Sequence, residues 1–209
     1  KLSSGGSAAN TIHGLAMLGA ETGFIGSIGK DATGDFFETD MKKAGVKTFM
    51  HRRDSVTGTA VALITPDFER TFATHLGAAT ELVAEDLDRN DFKGFDILYL
   101  EGYLIFNMPL VQTACTLARA NGMKIALDLA SYNVVEAKLS EFKEIIEKYV
   151  DIIFANEEEA KAYTKMEPEE SLKVLSASCE TAVVKIGKNG SMISRDRKII
   201  KVPAIDAIT

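Results

Sequence analysis

The sequence predicts an α/β protein in which helices cover both faces of a parallel sheet, with a small antiparallel β lid. From about residue 84 onward, short apolar segments alternate with segments of helical periodicity, the pattern of strands joined by crossover helices. Strand candidates such as residues 151–155 contain continuous apolar runs, here residues 152–155, which is typical of parallel strands buried on both faces. Before that region, three strand candidates follow one another without a helix, and this predicts a local antiparallel sheet.

The elements ahead of the lid are a helix, a strand and a second helix. An apolar stripe over residues 12–19 has helical spacing, residues 22–28 form a short apolar strand candidate, and Gly45 ends a helix over residues 35–44. The lid candidates are residues 46–52, 58–65 and 70–75, with a turn at 66–69. We expect residues 46–76 to cover something else, because they offer little core of their own. The alternative is that they continue the main sheet.

The rest of the chain alternates between the two element types. The predicted strands are residues 96–101, 123–128, 151–155, 181–186, 191–195 and 198–202. The predicted helices are residues 108–121, 134–149, 157–164 and 168–178. We expect all 209 residues to form part of one α/β domain, since single domains of this size are common.

Composition limits the class of protein. The hydrophobic fraction of 46% and charged fraction of 26% are ordinary for a globular protein. A net charge of −6 counts against non-specific binding of nucleic acid, which needs a basic surface. We expect no membrane span, because no apolar run approaches about 18 residues. No signal peptide is visible, and Cys115 and Cys179 lack metal or redox spacing, so we expect free thiols in a cytoplasmic protein.

Polar residues and glycines follow the predicted strands. They are Glu101 and Gly102, Asp128, residues 156–159 and residues 187–190. Because ligands of open parallel sheets bind outside the carboxyl ends of the strands, we expect a binding site there.

Two of these segments have both a structural and a functional interpretation. Asn156 is a good N-cap and Glu159 suits a helix N-terminus, but an amide and a carboxylate at this spacing could also orient hydrated Mg²⁺ and nucleotide phosphates. Gly187 and Gly190 could form a plain hairpin turn, or could present N–H groups to a polyphosphate with Lys185 adding positive charge.

The opening segment is a third candidate site. Gly5 and Gly6 allow a ligand close to the backbone, and Ser7 and Asn10 can hydrogen-bond a polyol at the start of a helix. A plain glycine loop before a helix is the alternative. Other chemistries have no motif: the sequence has no P-loop, no G-x-G-x-x-G dinucleotide fingerprint, no G-x-S-x-G elbow and no zinc-binding spacing among its three histidines.

Together, these segments resemble the ribokinase-like (PfkB) family of carbohydrate and nucleoside kinases. The resemblance lies in residues 5–10, 15–19, 26–34, 57–60, 66–71, 156–160 and 185–190, in the family's order and over nearly the whole chain. It implies a three-layer αβα ribokinase-like fold with a β lid, ATP and Mg²⁺ as cofactors, and transfer of phosphate to a hydroxyl of a sugar or nucleoside.

The resemblance also implies roles for individual residues. Gly5, Gly6 and Asn10 would bind the sugar hydroxyls, with Ser7 beside them. On the nucleotide side, Asn156 and Glu159 match the family's N-x-x-E motif, which positions phosphates and Mg²⁺, and Glu159 would act on the metal through water. Gly187 and Gly190 match the loop that binds ATP. Lys185 stands where many members have Thr.

The chain departs from the family pattern at both ends. The family's D-T-x-G-A-G-D motif, which supplies the catalytic Asp base, is absent, and the sequence stops about where it should begin. The family's first strand is absent before Lys1. We therefore expect a truncated chain with no catalytic residue of its own, and expect that residues 1–209 alone do not turn over.

The details of substrate and assembly stay open. Ser7 after the two glycines and the segments at residues 69–78 and 100–104 resemble adenosine-kinase-like members more than ribokinase. Sugar kinases acting on ribose, fructose or ketodeoxygluconate are the alternative. A non-catalytic sugar- or nucleoside-binding protein of the same fold, or a more distant Rossmann-type oxidoreductase, would be another class. Lid strands pair subunits into homodimers in some members, while others are monomers.

Overall fold

A computed structural model describes residues 2–67, 70–196 and 198–205, apart from the side chain of Arg70. Its internal contacts divide the chain into two compact units, Lys1–Asp91 and Phe92–Thr209. The single-domain assignment stays a prediction. Part of the predicted turn at 66–69, and the last four residues of the chain, lie outside the described residues.

Over its described residues, the first unit contains two helices, two small sheets and two short 3-10 helices. Its elements are α1 (Ser7–Met17), β1 (Gly23–Gly29), α2 (Ala32–Lys43), β2 (Lys47–Arg53), β3 (Thr59–Ile64), β4 (Arg70–His75) and the 3-10 helices Gly77–Glu81 and Ala84–Asp86. A further 3-10 helix, Arg89–Phe92, ends at the first residue of the second unit. Buried Ala9, Met41 and Val46 form its core, against which Phe24 and Phe37 pack edge to face with ring centroids 5.7 Å apart.

The pairing of β2 corrects the predicted lid. β2 runs parallel to β1, with Gly23 opposite Lys47 and Gly29 opposite Arg53. The prediction that residues 46–52 form the first lid strand was therefore wrong. α2 connects β1 to β2, and a strand–helix–strand connection lets the chain return in the same direction and pair in parallel. The antiparallel pairing that the structure does describe here joins β3 to β4, with Thr59 opposite His75.

In the residues that are described, the second unit is a six-stranded sheet with helices packed against it. Its elements are β5 (Ile97–Glu101), α3 (Met108–Ala120), β6 (Lys124–Asp128), α4 (Tyr132–Ala137), α5 (Leu139–Tyr149), β7 (Ile152–Asn156), α6 (Glu157–Thr164), α7 (Pro168–Leu175), β8 (Thr181–Lys185), β9 (Ser191–Arg195) and β10 (Lys198–Val202). The strand order is β10-β9-β8-β7-β6-β5. β5 to β8 are parallel, while β9 and β10 pair antiparallel.

The second unit confirms the predicted α/β class. Ile125 and Ile153, on neighbouring central strands, are fully buried, as is Phe142 of α5. One helix differs from the prediction: residues 134–149 form α4 and α5, which meet at Lys138, where φ is −132°. No residue type predicts this break, since neither glycine nor proline lies there. In the part of the chain that is described, no helix is long and apolar enough to cross a membrane.

Candidate active site

The four parallel strands of the second unit end side by side. Glu101 at the end of β5 lies opposite Asp128 at the end of β6, and Asn156 at the end of β7 lies opposite Lys185 at the end of β8. The predicted gathering of polar residues at the carboxyl ends of the strands is therefore confirmed for this unit. This end of the sheet is called the edge below.

Asn156 and Glu159 form a reciprocal cap at the start of α6. The Asn156 side-chain oxygen accepts from the Glu159 N–H at 2.8 Å, and a Glu159 carboxylate oxygen accepts from the Asn156 N–H at 2.7 Å. The second Glu159 oxygen accepts from the side-chain NH₂ group of Asn156, also at 2.7 Å. The structural interpretation of the motif is thus correct, and it fixes both side chains rigidly at the edge. It does not test their predicted role toward phosphates.

The Glu159 carboxyl sits in an unusual electrostatic environment. It is 3% exposed, and burial raises its pKa above the ordinary value, while the N–H of Asn156 opposes the rise. The carboxylates of Asp128 and Glu101 raise its pKa further, and the Lys185 ammonium lowers it. The edge therefore holds three carboxyl groups near one ammonium group.

Asp128 and Lys185 form an ion pair across this edge. Lys185 Nζ lies 3.0 Å from Asp128 Oδ2, and Asp128 Oδ1 accepts from the N–H of Ala130 at 2.9 Å. The Asp128 side chain is 14% exposed and that of Lys185 is 48% exposed, so the ammonium group remains accessible to a ligand. Sequence reasoning named Asp128 and Glu101 only as strand-end residues. Their position after apolar strands was the available signal, but the 57-residue separation of the pair hid their contact.

Direct metal ligation has little support among the described residues. They contain no group of three or more histidine, cysteine, aspartate or glutamate side chains placed to hold a metal ion. Both Glu159 oxygens already accept hydrogen bonds, so the donor set fits a hydrated Mg²⁺ contacted through water better than a bare ion. The prediction that Glu159 acts on Mg²⁺ through water agrees with this donor set and stays a prediction.

The segment from Gly187 to Gly190 is a tight 3-10 turn. Asn189 donates to the Ile186 carbonyl at 3.0 Å and Gly190 donates to that of Gly187, also at 3.0 Å. Within this described turn, the N–H groups of Gly187 and Lys188 are therefore the ones that remain for a phosphate. A Cβ on Gly187 would lie 4.0 Å from the nearest carboxylate oxygen of Glu157, so the turn lies beside the start of α6.

The two glycines of this turn have different reasons to be glycine. Gly187 has a φ of 53° in open surroundings, which suits a backbone that a ligand approaches. Gly190 has a φ of 91°, and a Cβ there would lie 2.0 Å from the Val202 carbonyl oxygen. Packing against the chain that follows β10 thus explains Gly190 without a ligand.

The opening segment lies in the first unit and is open to solvent. Gly6 is the N-cap of α1 with a φ of 115°, and its carbonyl accepts from the Asn10 N–H at 2.8 Å. Ser7 and Asn10 occupy the first turn, and both are exposed, as is Gly5, around which an added Cβ would meet open space. This arrangement leaves side chains and backbone of the segment available to a polar ligand.

Comparison with known proteins identifies the family to which this chain belongs. The sequence profile of the "pfkB family carbohydrate kinase" family matches residues 1–209. The chain therefore belongs to the pfkB carbohydrate kinase family.

Individual relatives include both sugar and nucleoside kinases. The chain is 27% identical to a ribokinase of Staphylococcus aureus, over 97% of this chain and 69% of that protein. It is 25% identical to adenosine kinase 2 of Arabidopsis thaliana, over 96% of this chain and 64% of that protein. The solved structure of an adenosine kinase from Sinorhizobium meliloti is similar with a TM-score of 0.91 and 31% identity, over 99% of this chain and 65% of that one. The chain thus spans about two thirds of the length of these relatives.

Proposed function

We propose that the protein of which this chain is part is a kinase that transfers the γ-phosphoryl group of ATP to a hydroxyl of a sugar or nucleoside, with an adenosine-like nucleoside favoured. The observation that carries the proposal is the edge of the parallel sheet, where the Asn156–Glu159 motif lies beside the Gly187–Gly190 turn in a chain of the pfkB family. A phosphoryl-transfer site needs few covalent steps and depends on positioning and charge, and this edge is suited to both.

The nucleotide side of the reaction would use groups that the edge holds in place. The N–H groups of Gly187 and Lys188 would bind phosphate oxygens, and Lys185 would supply positive charge. Bound Mg²⁺ would offset the negative charge of the phosphates. Glu159 would hold its water shell, since carboxyl groups crowded at this edge favour a nearby cation.

The acceptor side would use the opening segment. Gly5 and Gly6 would let the acceptor approach the backbone, while Ser7 and Asn10 would hydrogen-bond its hydroxyls. The β3–β4 hairpin would act as the lid that excludes water, so that phosphate passes to the acceptor instead of to solvent. The general base would be an Asp beyond residue 209, and residues 1–209 alone would not turn over.

The adenosine-like preference is supported by the similarity to the adenosine kinase of Sinorhizobium meliloti at 31% identity. The ribokinase of Staphylococcus aureus supports the alternative, a ribokinase-, fructokinase- or ketodeoxygluconate-kinase-type activity on a sugar. A non-catalytic binding protein of the same fold is the candidate from another class. We further propose a cytoplasmic protein with small-molecule substrates and no nucleic-acid partner.

Acceptor-dependent turnover tests these proposals. The intact protein would be assayed for ADP release from ATP·Mg²⁺ with adenosine, guanosine, ribose, fructose and ketodeoxygluconate, with thermal-shift binding measured in parallel. We expect adenosine to give the highest kcat/KM. A sugar that is preferred over both nucleosides would contradict the nucleoside preference. Binding of an acceptor without any ADP release would favour the non-catalytic protein.

A homodimer through the lid is a separate proposal. Val61, Leu63 and Phe72 of the hairpin are more than half exposed, and exposed apolar strands favour pairing with another chain. Sedimentation of the intact protein should then give a dimer that charged substitutions at these three positions dissociate. A monomer at micromolar concentration would contradict it.

A further inference from the structure

The loop between β1 and α2 is tied to the residue that precedes the hairpin. Asp31 caps α2 by accepting from the Gly34 N–H at 2.8 Å. The same carboxylate also accepts from the Thr57 N–H at 2.8 Å and from the Thr57 hydroxyl at 2.7 Å. The Thr57 hydroxyl oxygen in turn accepts from the Gly29 N–H at 2.9 Å. A helix cap needs only the first of these bonds, so the other three join two segments far apart in sequence.

Gly29 and Gly34 allow the loop before α2 to lie close to residues 55–57. A Cβ on Gly29 would lie 2.5 Å from the Ser55 carbonyl oxygen, and a Cβ on Gly34 would lie 2.6 Å from that of Gly29 and 2.8 Å from the Thr57 hydroxyl oxygen. The G-x-D-x-x-G spacing at residues 29–34 therefore has a structural explanation that needs no ligand. It places the Asp31 carboxylate and two small residues around Thr57.

The β3–β4 hairpin is joined to the rest of the first unit through residues 56–58 and 76–77, which are called the neck below. Thr57 is 7% exposed, whereas every residue of β3 is exposed. A Cβ on Gly58 would lie 2.5 Å from the Leu76 carbonyl oxygen, and one on Gly77, with a φ of 49°, would lie 2.2 Å from that of Val56. The two legs of the hairpin thus touch at this neck. Burial does little to fix a strand that is exposed along its whole length, so hydrogen bonds at the root hold the hairpin in place. They are the bonds of Thr57 on one leg and, on the other, the bond from the Ala78 N–H to the Val56 carbonyl at 2.8 Å.

We propose that Asp31 and Thr57 are positioning residues, which hold the root of the β3–β4 hairpin and thereby set the affinity for the phosphoryl acceptor. This inference rests on the proposed kinase function. Neither residue touches substrate in it. Losing hydrogen bonds between Thr57 and the Asp31 carboxylate would lower the fraction of molecules whose hairpin is correctly placed. The apparent acceptor affinity would fall by the same factor.

Two variants weaken the connection between Asp31 and Thr57 in different ways. Thr57→Val deletes the hydroxyl at nearly constant volume. Asp31→Ser keeps a good N-cap for α2 but removes the second oxygen that binds Thr57, so it serves if the first variant does not fold. Thr57→Ser keeps the hydroxyl and is the conservative control. Asn107 is the N-cap of α3, and its side chain accepts a hydrogen bond from the Leu110 N–H. Asn107→Ala removes this cap and is the control for a general loss of stability.

The intact protein carrying each variant would be assayed for steady-state kinetics. We expect Thr57→Val and Asp31→Ser each to raise the acceptor KM about tenfold and to leave the ATP KM within twofold, as estimated for hydrogen bonds to a charged group. Thr57→Ser should stay within twofold of wild type on both. An acceptor KM within twofold of wild type for both disrupting variants would overturn the inference, as would an equal rise in Asn107→Ala.

Hydrogen exchange separates failure of this inference from failure of the proposed function. If the intact protein phosphorylates no acceptor, the kinase proposal has failed and the role of the hairpin root is measured without activity. The amides of β3 and β4 should then exchange about tenfold faster in Thr57→Val and Asp31→Ser than in Thr57→Ser or Asn107→Ala. Equal exchange rates in all four variants would overturn the positioning role.

Discussion

Replacing Glu159 separates its helix-capping role from the catalytic role proposed for it. Glutamine keeps an oxygen that can accept from the Asn156 N–H and is an established partner in such caps. Its NH₂ group would face the Asn156 side-chain amide where a carboxylate oxygen now accepts, which costs about 1 kcal/mol. Removing a charge that burial disfavours acts in the opposite direction. We therefore expect the unfolding free energy of Glu159→Gln to lie within about 1 kcal/mol of the wild-type value.

The same substitution should strongly reduce activity. If Glu159 holds the water shell of Mg²⁺, then removing its charge should lower kcat about 100-fold or more, the usual scale for loss of one electrostatic group at a transition state. Glu159→Ala should lower kcat as much and also lose about 2 kcal/mol of unfolding free energy, since it leaves the Asn156 N–H without its partner.

Urea unfolding and acceptor-dependent ADP release in the intact protein would measure the two effects. Glu141→Gln, on α5, is the matched control and should keep wild-type kcat. A Glu159→Gln protein that folds normally and keeps kcat within about threefold of wild type would refute the proposed role of Glu159, because a factor that small lies far below the usual electrostatic contribution. Asn156 and Glu159 would then be a helix cap alone.

The raised pKa of Glu159 adds a dependence on pH. A carboxyl whose pKa is higher in the folded state binds its proton more tightly there, so it lowers stability as pH rises from the ordinary value near 4.5 through the raised value. Wild type should lose stability over that interval relative to Glu159→Gln. Identical pH dependence in the two proteins would show that the carboxyl is not perturbed.

Three further predictions concern the opening segment, the turn and the loop before α2. Asn10→Ala should raise the acceptor Kd at least tenfold more than that of ATP in calorimetry, since a polyol loses a donor and an acceptor; equal losses would make Asn10 structural. Gly190→Ala should cost several times the roughly 1 kcal/mol of Gly187→Ala in urea unfolding, because its Cβ would overlap the Val202 carbonyl oxygen; equal costs would contradict the packing explanation. The pKa of Asp31 is lowered, chiefly by the hydrogen bond that the carboxylate accepts from the Thr57 N–H. The ionised Asp31 therefore stabilises the fold above the ordinary pKa of 3.8, and this stabilisation is lost as pH falls through the lowered value. Asp31→Asn should show a shallower loss of stability in acid, and an unchanged slope would refute this.

The alternation of strands and helices in the second unit could be predicted from sequence because it depends on local patterns. Apolar runs mark its buried strands, and residues such as Asn107 and Gly122 mark the ends of α3. The partner of β2 could not be predicted in this way, since a half-buried strand has the same alternation whether its neighbour is parallel or antiparallel. Only the position of α2 between the strands hinted at the parallel pairing with β1.

The candidate site was predictable to a similar degree. Strand-end polar residues indicated the edge, but the residue types that cap a helix are also those that orient phosphates and metal ions, so Asn156 and Glu159 stayed ambiguous. The ion pair of Asp128 with Lys185 depends on sheet register, which no local pattern contains. Likewise, only the surrounding atoms reveal that Gly190 is required for packing while Gly187 lies open.

Acceptor-dependent ADP release by the intact protein tests the central claim most directly. We expect ATP·Mg²⁺ to be consumed only when a sugar or nucleoside hydroxyl is present, and one phosphorylated acceptor to form for each ADP. Chelation of Mg²⁺ should abolish the reaction. No release above the acceptor-free rate with any sugar or nucleoside, by a protein that still binds ATP, would contradict the proposal that the protein is a phosphoryl-transfer enzyme.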